Sequence, residues 1–345
     1  MTKNDSIDNL DQLIIKAENS SGLSEEETII AFEVIMSGEA SQTQIANLLT
    51  TLAHRGETVA EITGATRIMR AKALSISAPK GAIDTCGTGG DASGTFNIST
   101  AVAFVVAACD VPVAKHGNRK ASSRSGTADV LEELGVNLDA TTTVIERALK
   151  ETNLGFLFAP KHHSSMKHVA SVRAELGIRT IFNLLGPLSN PAGAKHQLLG
   201  VFSEDWLVPM AKTLKALGSE KAWIVHGSDG LDELTVTGPS QVAQLRKGDI
   251  STFSISPEDA GLSTHHANTL KGGEPKDNAK ALMSLLEGAK GAYRDIVLLN
   301  SAAALIIASK TDDLRAGVIQ AAAAVDSGKA KNILERFVAI TRGKN

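Results

Sequence analysis

The spacing of hydrophobic residues changes near residue 80. Before that point they recur at helical intervals, and no stretch alternates as a strand would. Two apolar helix faces are Ile45, Leu48, Leu49, Leu52 and Ile62, Ala65, Ile68, Met69. Three capping boxes, in which a hydroxyl precedes Glu or Gln by three residues, are Ser24–Glu27, Ser41–Gln44 and Thr58–Glu61. The pattern predicts helices alone over residues 1–75 and a linker at 75–81.

From residue 82 short apolar runs alternate with amphipathic segments. The predicted strands are 82–86, 111–117, 154–160, 196–203 and 221–227, and the predicted helices are 98–109, 126–135, 141–152, 164–177 and 205–218. Such alternation predicts an α/β fold with a mostly parallel central sheet covered by helices. Residues 235–256 predict antiparallel β structure, and about the last 70 residues predict helices. We therefore expect a small helical domain at 1–80 and a larger α/β domain at 81–345.

Composition excludes several classes of protein. The 345 residues carry a net charge of −3 and only 3% aromatic residues, which argues against nucleic acid or an anionic membrane as a partner. Cys86 and Cys109 have no metal-ligand spacing. The N-terminus is polar rather than signal-like, and the longest apolar run, AVAFVVAAC, is too short to cross a bilayer. A cytoplasmic protein is expected.

Four glycines interrupt the stretch DTCGTGGDASGTFNIST at 84–100. They lie between a predicted strand and a predicted helix, where backbone amides and the helix dipole can bind an anion. No Gly-Lys-Ser/Thr follows, and the glycine spacing differs from the dinucleotide fingerprint. The stretch predicts a phosphate cradle, and the alternative is a tight turn with ordinary N-capping.

Three further features suggest chemistry around that cradle. The loop KHGNRKASSRSGT at 115–127 is rich in basic residues, which would clamp phosphates or form a solvated surface. Asp232 and Glu233 in SDGLDEL suit Mg²⁺ bridged to phosphates, or form an acidic turn in water. Arg173 lies among apolar residues of a predicted helix and points inward, or pairs with Glu175 or Glu146 at the surface.

Taken together, the motifs resemble the anthranilate phosphoribosyltransferase family of nucleoside-phosphorylase-like phosphoribosyltransferases. The motifs are GTGGD (87–91), NIST (97–100), KHGNR (115–119), VRAELGIRTIFNLLGPLSNP (172–191), GLDEL (230–234) and RDIVLLNSAAAL (294–305). The resemblance implies a small helical domain joined by about 178–192, and an active site in the cleft between two domains. It also implies a homodimer paired through the small domains.

The resemblance also implies a role for individual residues. The residues that would hold 5-phosphoribosyl 1-pyrophosphate (PRPP) are Gly87, Gly90, Asp91, Thr95, Asn97, Ile98, Ser99, Thr100, Lys115, His116, Gly117, Asn118, Arg119, Lys120, Ala121, Ser122, Ser123 and Thr127. Those that would meet anthranilate are Gly87, Asn118, His163 and Arg173. Those that would hold Mg²⁺, with two ions per active site, are Ser99, Asp232 and Glu233.

The implied reaction is displacement of pyrophosphate from the anomeric carbon by the anthranilate amine, the second step of tryptophan biosynthesis from chorismate. Metal ions and amides would stabilise the leaving group, and the neutral amine needs no dedicated base. Whether His116 or His163 helps proton removal stays open. The chain departs from the family at Ser164-Ser165, where Pro-Ala is common, and at Thr127, where serine is usual. The alternatives are a pyrimidine-nucleoside phosphorylase-like enzyme and a non-catalytic nucleic-acid-binding relative.

Overall fold

The structure is a computed structural model that describes residues 3–90, 93–119 and 125–344. The helices, numbered in chain order, are α1 Lys3–Asn19, α2 Glu25–Met36, α3 Gln42–Arg55, α4 Val59–Ala71, α5 Ile98–Ala108, α6 Thr127–Glu133, α7 Thr142–Thr152, α8 Ala159–His162, α9 Lys167–Leu176, α10 Phe182–Leu188, α11 Leu207–Ala216, α12 Pro275–Leu286, α13 Ala292–Ile307, α14 Leu314–Asp326 and α15 Lys329–Thr341. The strands are β1 Ile83–Gly87, β2 Val113–Gly117, β3 Leu154–Phe158, β4 His196–Gly200, β5 Lys221–Gly227, β6 Ser240–Arg246 and β7 Asp249–Ile255.

In the described ranges, the strands form one seven-stranded sheet in the order β3-β2-β1-β4-β5-β6-β7. The first five of these are parallel, and β6 and β7 add an antiparallel hairpin at one edge. The chain runs outward from β1 to β3 and then returns to β4 on the other side of β1. The strand order therefore reverses between β1 and β4, which is where open α/β sheets bind ligands.

The two faces of the sheet bury separate hydrophobic cores, because neighbouring residues of a strand point to opposite faces. In β4, Leu198 packs into the core formed with α5 and α12–α15, and Leu199 packs into the core formed with α1–α4 and α9–α11. Trp223 and Ile224 in β5 divide in the same way. The helical N-terminal region thus continues the core of one sheet face.

The predicted helical character of the N-terminal region is confirmed. Each of α2, α3 and α4 begins with a complete capping box, formed by Ser24, Ser41 and Thr58. The predicted apolar faces are buried in α3 and α4. Glu61 is fully buried, and its carboxylate is compensated there by two contacts. It completes the cap of α4 and forms an ion pair with Arg55.

Several boundary predictions were wrong. β3 and β4 end at Phe158 and Gly200 rather than at residues 160 and 203, and the hairpin is displaced further. The antiparallel hairpin begins at Ser240 rather than at residue 235. The hydroxyls of Thr235 and Thr237 both donate to Oδ2 of Asp229, at 2.6 Å each. These bonds turn the chain, and the β-branched residues of this segment therefore form a loop.

The cysteines and the helices agree with the composition. Cys86 and Cys109 are free and buried thiols. Within the described ranges, the helices are all too short or too polar to traverse a lipid bilayer.

Candidate active site

The centre of the site is the point where β1 and β4 end side by side. Gly87 and Gly200 are register partners at these ends, and the loop residue Asp232 lies across both. A Cβ on Gly200 would lie 1.5 Å from the Asp232 carbonyl oxygen, and one on Gly87 would lie 2.2 Å from its Oδ2. Both positions therefore need glycine, which brings Asp232 against the switch point of the sheet.

The glycine loop after β1 is fixed from two directions. The Gly89 amide donates to Oδ2 of Asp232 at 2.7 Å, and the Arg179 guanidinium donates to the Gly90 carbonyl. Gly90 has φ +76°, a conformation that side chains disfavour. Arg179 also stacks on Phe202, with 4.0 Å between its Cζ and the ring centroid. Asp91, a predicted PRPP residue, lies outside the described residues.

Helix α5 begins directly after this loop and has no side-chain cap. Asn97 occupies the N-cap position but makes no capping hydrogen bond. The Thr100 hydroxyl donates to the Thr127 hydroxyl at 3.1 Å. The hydroxyl at position 127 therefore accepts a hydrogen bond from the first turn of α5. An uncapped helix N-terminus with eleven residues behind it presents amides and a positive dipole to an anion.

A buried ammonium lies beneath the start of α5. Lys115 Nζ donates to the Thr85 carbonyl and to Ser99 Oγ, the latter at 3.1 Å. Burial lowers the pKa of Lys115, while the carboxylates of Asp84, Glu233 and Asp232 oppose that shift. Lys115 therefore contacts the start of α5 while the carboxylates of Asp232 and Glu233 attract its charge.

The acidic pair suits a magnesium ion that is completed by substrate oxygens. Asp232 supplies hard oxygen ligands beside Gly87 and Gly89, Glu233 follows it in the chain, and Ser99 Oγ accepts a hydrogen bond from Lys115. In the described part of the chain, no group of three or more His, Cys, Asp or Glu could hold a metal without other ligands. Mg²⁺ is commonly held by one or two carboxylates together with substrate phosphates. The residues present fit that mode of binding.

Two buried histidines face each other near the end of β2. The rings of His116, at the end of β2, and His163, after α8, lie 5.1 Å apart between centroids. His116 Nδ1 lies 3.2 Å from the Gly186 carbonyl, and burial lowers the pKa of His116 to about 3. Burial likewise lowers the pKa of His163 to about 4. Both rings are neutral at pH 7, so this side of the cleft gains no positive charge from them.

Arg173 contacts an aromatic ring of a neighbouring helix. It lies in α9 and stacks on Phe182 of α10, with 5.3 Å between its Cζ and the ring centroid. Partial burial lowers its pKa. No carboxylate among the described residues forms an ion pair with it, so the alternative pairing with Glu175 or Glu146 is not observed. Its guanidinium can serve an incoming carboxylate.

The basic loop divides at Asn118. The Gly117 backbone packs against Phe156, and the Asn118 carbonyl accepts from the Ala128 amide. Arg119 forms ion pairs with Asp129 and Glu132 of α6, so its guanidinium faces that helix here. The other predicted residues of the loop, Lys120, Ala121, Ser122 and Ser123, lie outside the described residues.

Sequence reasoning missed residues that brace the site from a distance. Besides Arg179, they belong to the segment Leu270–Asn278, which we term the strap. It runs beside residues 93–97 and forms an isolated β-bridge between Thr95 and Lys271. The only signal in the sequence is the Gly272-Gly273 pair, which indicates a close backbone approach but not its partner.

Family comparisons agree with this architecture. Residues 11–73 match the glycosyl transferase family helical bundle domain, and residues 79–331 match the glycosyl transferase family a/b domain. The anthranilate phosphoribosyltransferase of Rhodospirillum rubrum is 58% identical over 328 residues, covering 95% of this chain and 94% of that protein. The one from Parvibaculum lavamentivorans is 58% identical over 333 residues, covering 96% and 98%.

Solved structures extend the likeness to three dimensions. The anthranilate phosphoribosyltransferase of Thermus thermophilus superposes with a TM-score of 0.91 at 45% identity, covering 97% of this chain and 100% of that one. The Saccharomyces cerevisiae enzyme, in complex with PRPP and Mg, gives 0.89 at 28% identity, covering 97% and 98%. With these relatives and this fold, the chain belongs to the anthranilate phosphoribosyltransferase family.

Proposed function

We propose that the cleft at the β1–β4 switch point transfers the phosphoribosyl group of PRPP to the amine of anthranilate, giving N-(5-phosphoribosyl)anthranilate and pyrophosphate. The observation that carries this function is the joining of an uncapped α5, a glycine loop and an acidic pair around Gly87 and Gly200. This is the second step of tryptophan biosynthesis from chorismate.

The phosphate side of the cleft binds PRPP through the glycine loop and the start of α5. Amides of the glycine loop and of the first turn of α5 face the phosphates, and the amine of buried Lys115 lies against Ser99 beneath them. Donors that are already oriented stabilise developing negative charge without reorganising. The yeast relative was solved in complex with PRPP and Mg, which supports this assignment.

Asp232 and Glu233, with Ser99, are the residues that would hold Mg²⁺, and we propose two ions per site. When bound, the metal neutralises charge on the departing pyrophosphate. Asp232 has a second task, because its Oδ2 accepts the Gly89 amide and so fixes the glycine loop. The carboxylate thus positions the donors of the cradle in addition to binding the metal.

The acceptor side orients anthranilate with side chains. Arg173 binds its carboxylate, while His163, Asn118 and the backbone at Gly87 line the rest of the pocket. The yeast relative was also solved with 4-fluoroanthranilate. The C–N bond forms as the C–O bond to pyrophosphate breaks, and the bonding pair leaves with pyrophosphate. The aromatic amine is neutral near pH 7 and attacks with its lone pair, and its nitrogen then releases a proton to solvent.

We also propose the assembly and the limits of the domains. The small domain comprises about 1–80 and 178–192, and the large domain is 81–345 apart from that segment. Packing of α10 against α4 supports the inclusion of 178–192. A cytoplasmic homodimer paired through the small domains follows from the family, with sedimentation as the test of its mass.

The decisive assay follows anthranilate fluorescence after addition of PRPP and Mg²⁺. We expect a loss of fluorescence that needs all three components. The matched comparison replaces anthranilate and PRPP with a pyrimidine nucleoside and phosphate. Phosphorolysis there, with no loss of anthranilate fluorescence, would favour the nucleoside phosphorylase alternative.

A further inference from the structure

The strap forms backbone hydrogen bonds with residues 94–96, at the end of the glycine loop. The Phe96 amide donates to the Leu270 carbonyl at 3.1 Å, and the Gly272 amide donates to the Gly94 carbonyl at 2.9 Å. A Cβ on Gly272 would lie 2.7 Å from the Thr95 carbonyl oxygen, so a side chain there would separate the two segments. The loop therefore takes its shape from a segment far along the chain.

Asn278 connects the strap to the start of α5. It is 2% exposed. Its Oδ1 accepts the Gly273 amide at 2.7 Å, and its Nδ2 donates to Oδ1 of Asn97 at 2.8 Å. The Ser125 hydroxyl donates to the same Asn97 oxygen at 3.3 Å. Tyr293 fixes the main chain of Asn97 by donating to its carbonyl at 3.2 Å.

These bonds explain why α5 has no cap. Asparagine is among the residues that cap helices best, because its side-chain oxygen accepts an amide of the first turn. At Asn97 that oxygen is engaged by Asn278 and Ser125 instead, and the capping bond is absent. The first-turn amides are then available to a ligand.

We propose that Asn278 is a positioning residue for PRPP: it keeps the Asn97 side chain away from the α5 amides, so that those amides bind the phosphates of PRPP. The inference rests on the proposed function, since it assigns these amides to PRPP. Asn278 itself contacts the strap and Asn97, and it acts on the substrate only through Asn97.

The first test is Asn278→Leu, which removes the donor to Asn97 without adding charge. Binding of PRPP with Mg²⁺, measured by calorimetry, should weaken at least about tenfold, while KM for anthranilate changes less than about twofold. If this variant melts before the assay temperature, Asn278→Ser replaces it, because its smaller polar side chain adds no charge. Asn137→Leu is the control, since Asn137 tethers Thr341 far from the strap.

The second test makes the same change at 278 in an Asn97→Ala background. Alanine cannot cap α5, so the further loss on changing Asn278 should fall below about twofold. An equal loss in both backgrounds, or unchanged PRPP binding in the single variant, overturns the positioning role. If the wild-type protein binds PRPP but consumes no anthranilate, the proposed function is contradicted. The comparison of PRPP binding in the two backgrounds then still tests the role of Asn278. Wild type that binds no PRPP overturns both.

Discussion

The phosphate side of the proposed cleft is formed mainly by backbone groups, whereas the acceptor side is formed by side chains. The phosphate side consists of main-chain amides and glycines at the ends of β1 and β4, braced by Asp232, Arg179 and the strap. The acceptor side consists of side chains, with Arg173 and His163 carried on or beside short helices and His116 facing them. The phosphate side requires glycines, because their lack of a side chain lets the backbone approach Asp232. The acceptor side requires side chains that contact the substrate.

This difference determines what a substitution does. On the phosphate side a new side chain adds atoms where the backbone must approach Asp232 or the ligand, so nearly any change is harmful. On the acceptor side we expect a change at Arg173 or His163 to alter contacts with the amine substrate and to leave the PRPP site intact. The Ser164-Ser165 departure from the family directly follows His163, on the acceptor side.

The strongest test of the phosphate side is the double variant Asp232→Asn, Glu233→Gln. We expect kcat to fall by roughly a thousandfold, about 4 kcal/mol, because charge on the leaving group loses its metal ligands. An asparagine at 232 can still accept the Gly89 amide, so the melting temperature should change little. The measurement is kcat against Mg²⁺ concentration.

The control for that variant is Asp229→Asn in the same loop, whose carboxylate is bound to threonine hydroxyls. It should leave the Mg²⁺ dependence as in wild type. If the double variant has the wild-type kcat and the wild-type dependence on Mg²⁺, Asp232 and Glu233 do not bind the metal.

The acceptor side is tested by Arg173→Ala. Losing a charge-assisted contact should lower kcat/KM for anthranilate by about 2–4 kcal/mol, with KM for PRPP nearly unchanged. Arg147→Ala is the matched control, because it removes an exposed arginine whose ion pair is with Glu151 of the same helix. An anthranilate kcat/KM equal to that of wild type would remove Arg173 from the pocket.

Gly90→Val adds a side chain to the phosphate side. Gly90 has φ +76°, and a Cβ there would lie 3.4 Å from Nη2 of Arg179. Strain of about 1–3 kcal/mol and the occupied space should weaken PRPP binding by at least about tenfold, as measured by calorimetry. Gly56→Val is the control, since Gly56 has φ +89° but open space around it. Equal loss of PRPP binding in both variants would contradict a local effect.

The neutral histidines of the acceptor side predict a pH dependence of stability. Their folded pKa values, about 3 for His116 and about 4 for His163, lie below the unfolded value of 6.5. The unfolded chain then binds protons first, so stability is full above pH 6.5 and falls as the pH drops toward 4. Thermal melts should show a loss of about 2 kcal/mol per histidine at about pH 5.

His163→Gln should reduce the slope of that pH dependence, because it leaves one buried histidine to oppose protonation. His54→Gln, at an exposed position, should leave the slope unchanged. An identical slope in wild type and His163→Gln would mean that His163 takes up its proton without unfolding the chain.

The smallest expected effect is that of Thr127→Ser. Serine keeps the hydroxyl that accepts from Thr100, so the KM for PRPP should stay within about twofold of wild type. Thr127→Val, which keeps the shape and loses the hydroxyl, should raise it further. Equal KM values for the two variants would show that this hydroxyl plays no part in shaping the site.

Local patterns predicted much of this molecule. The capping boxes, the change of hydrophobic spacing near residue 80, and the glycine loop between β1 and α5 depend on neighbours in sequence, and they were read correctly. The contact of Asp232 with Gly200 and the strap depend on partners distant in sequence, and no local pattern specifies them. The start of β6 was misplaced for a related reason, since the Asp229 side chain overrides the strand preference of Thr235 and Thr237.

The position of the strap has a consequence during protein synthesis. Asn278 and Asn97 are 181 positions apart, and β7 ends at Ile255, before the strap begins. Every strand of the described sheet is therefore translated before the segment that braces the phosphate loop. Until then the loop lacks its partner, so we expect PRPP to stabilise the nascent chain mainly after the strap has emerged from the ribosome.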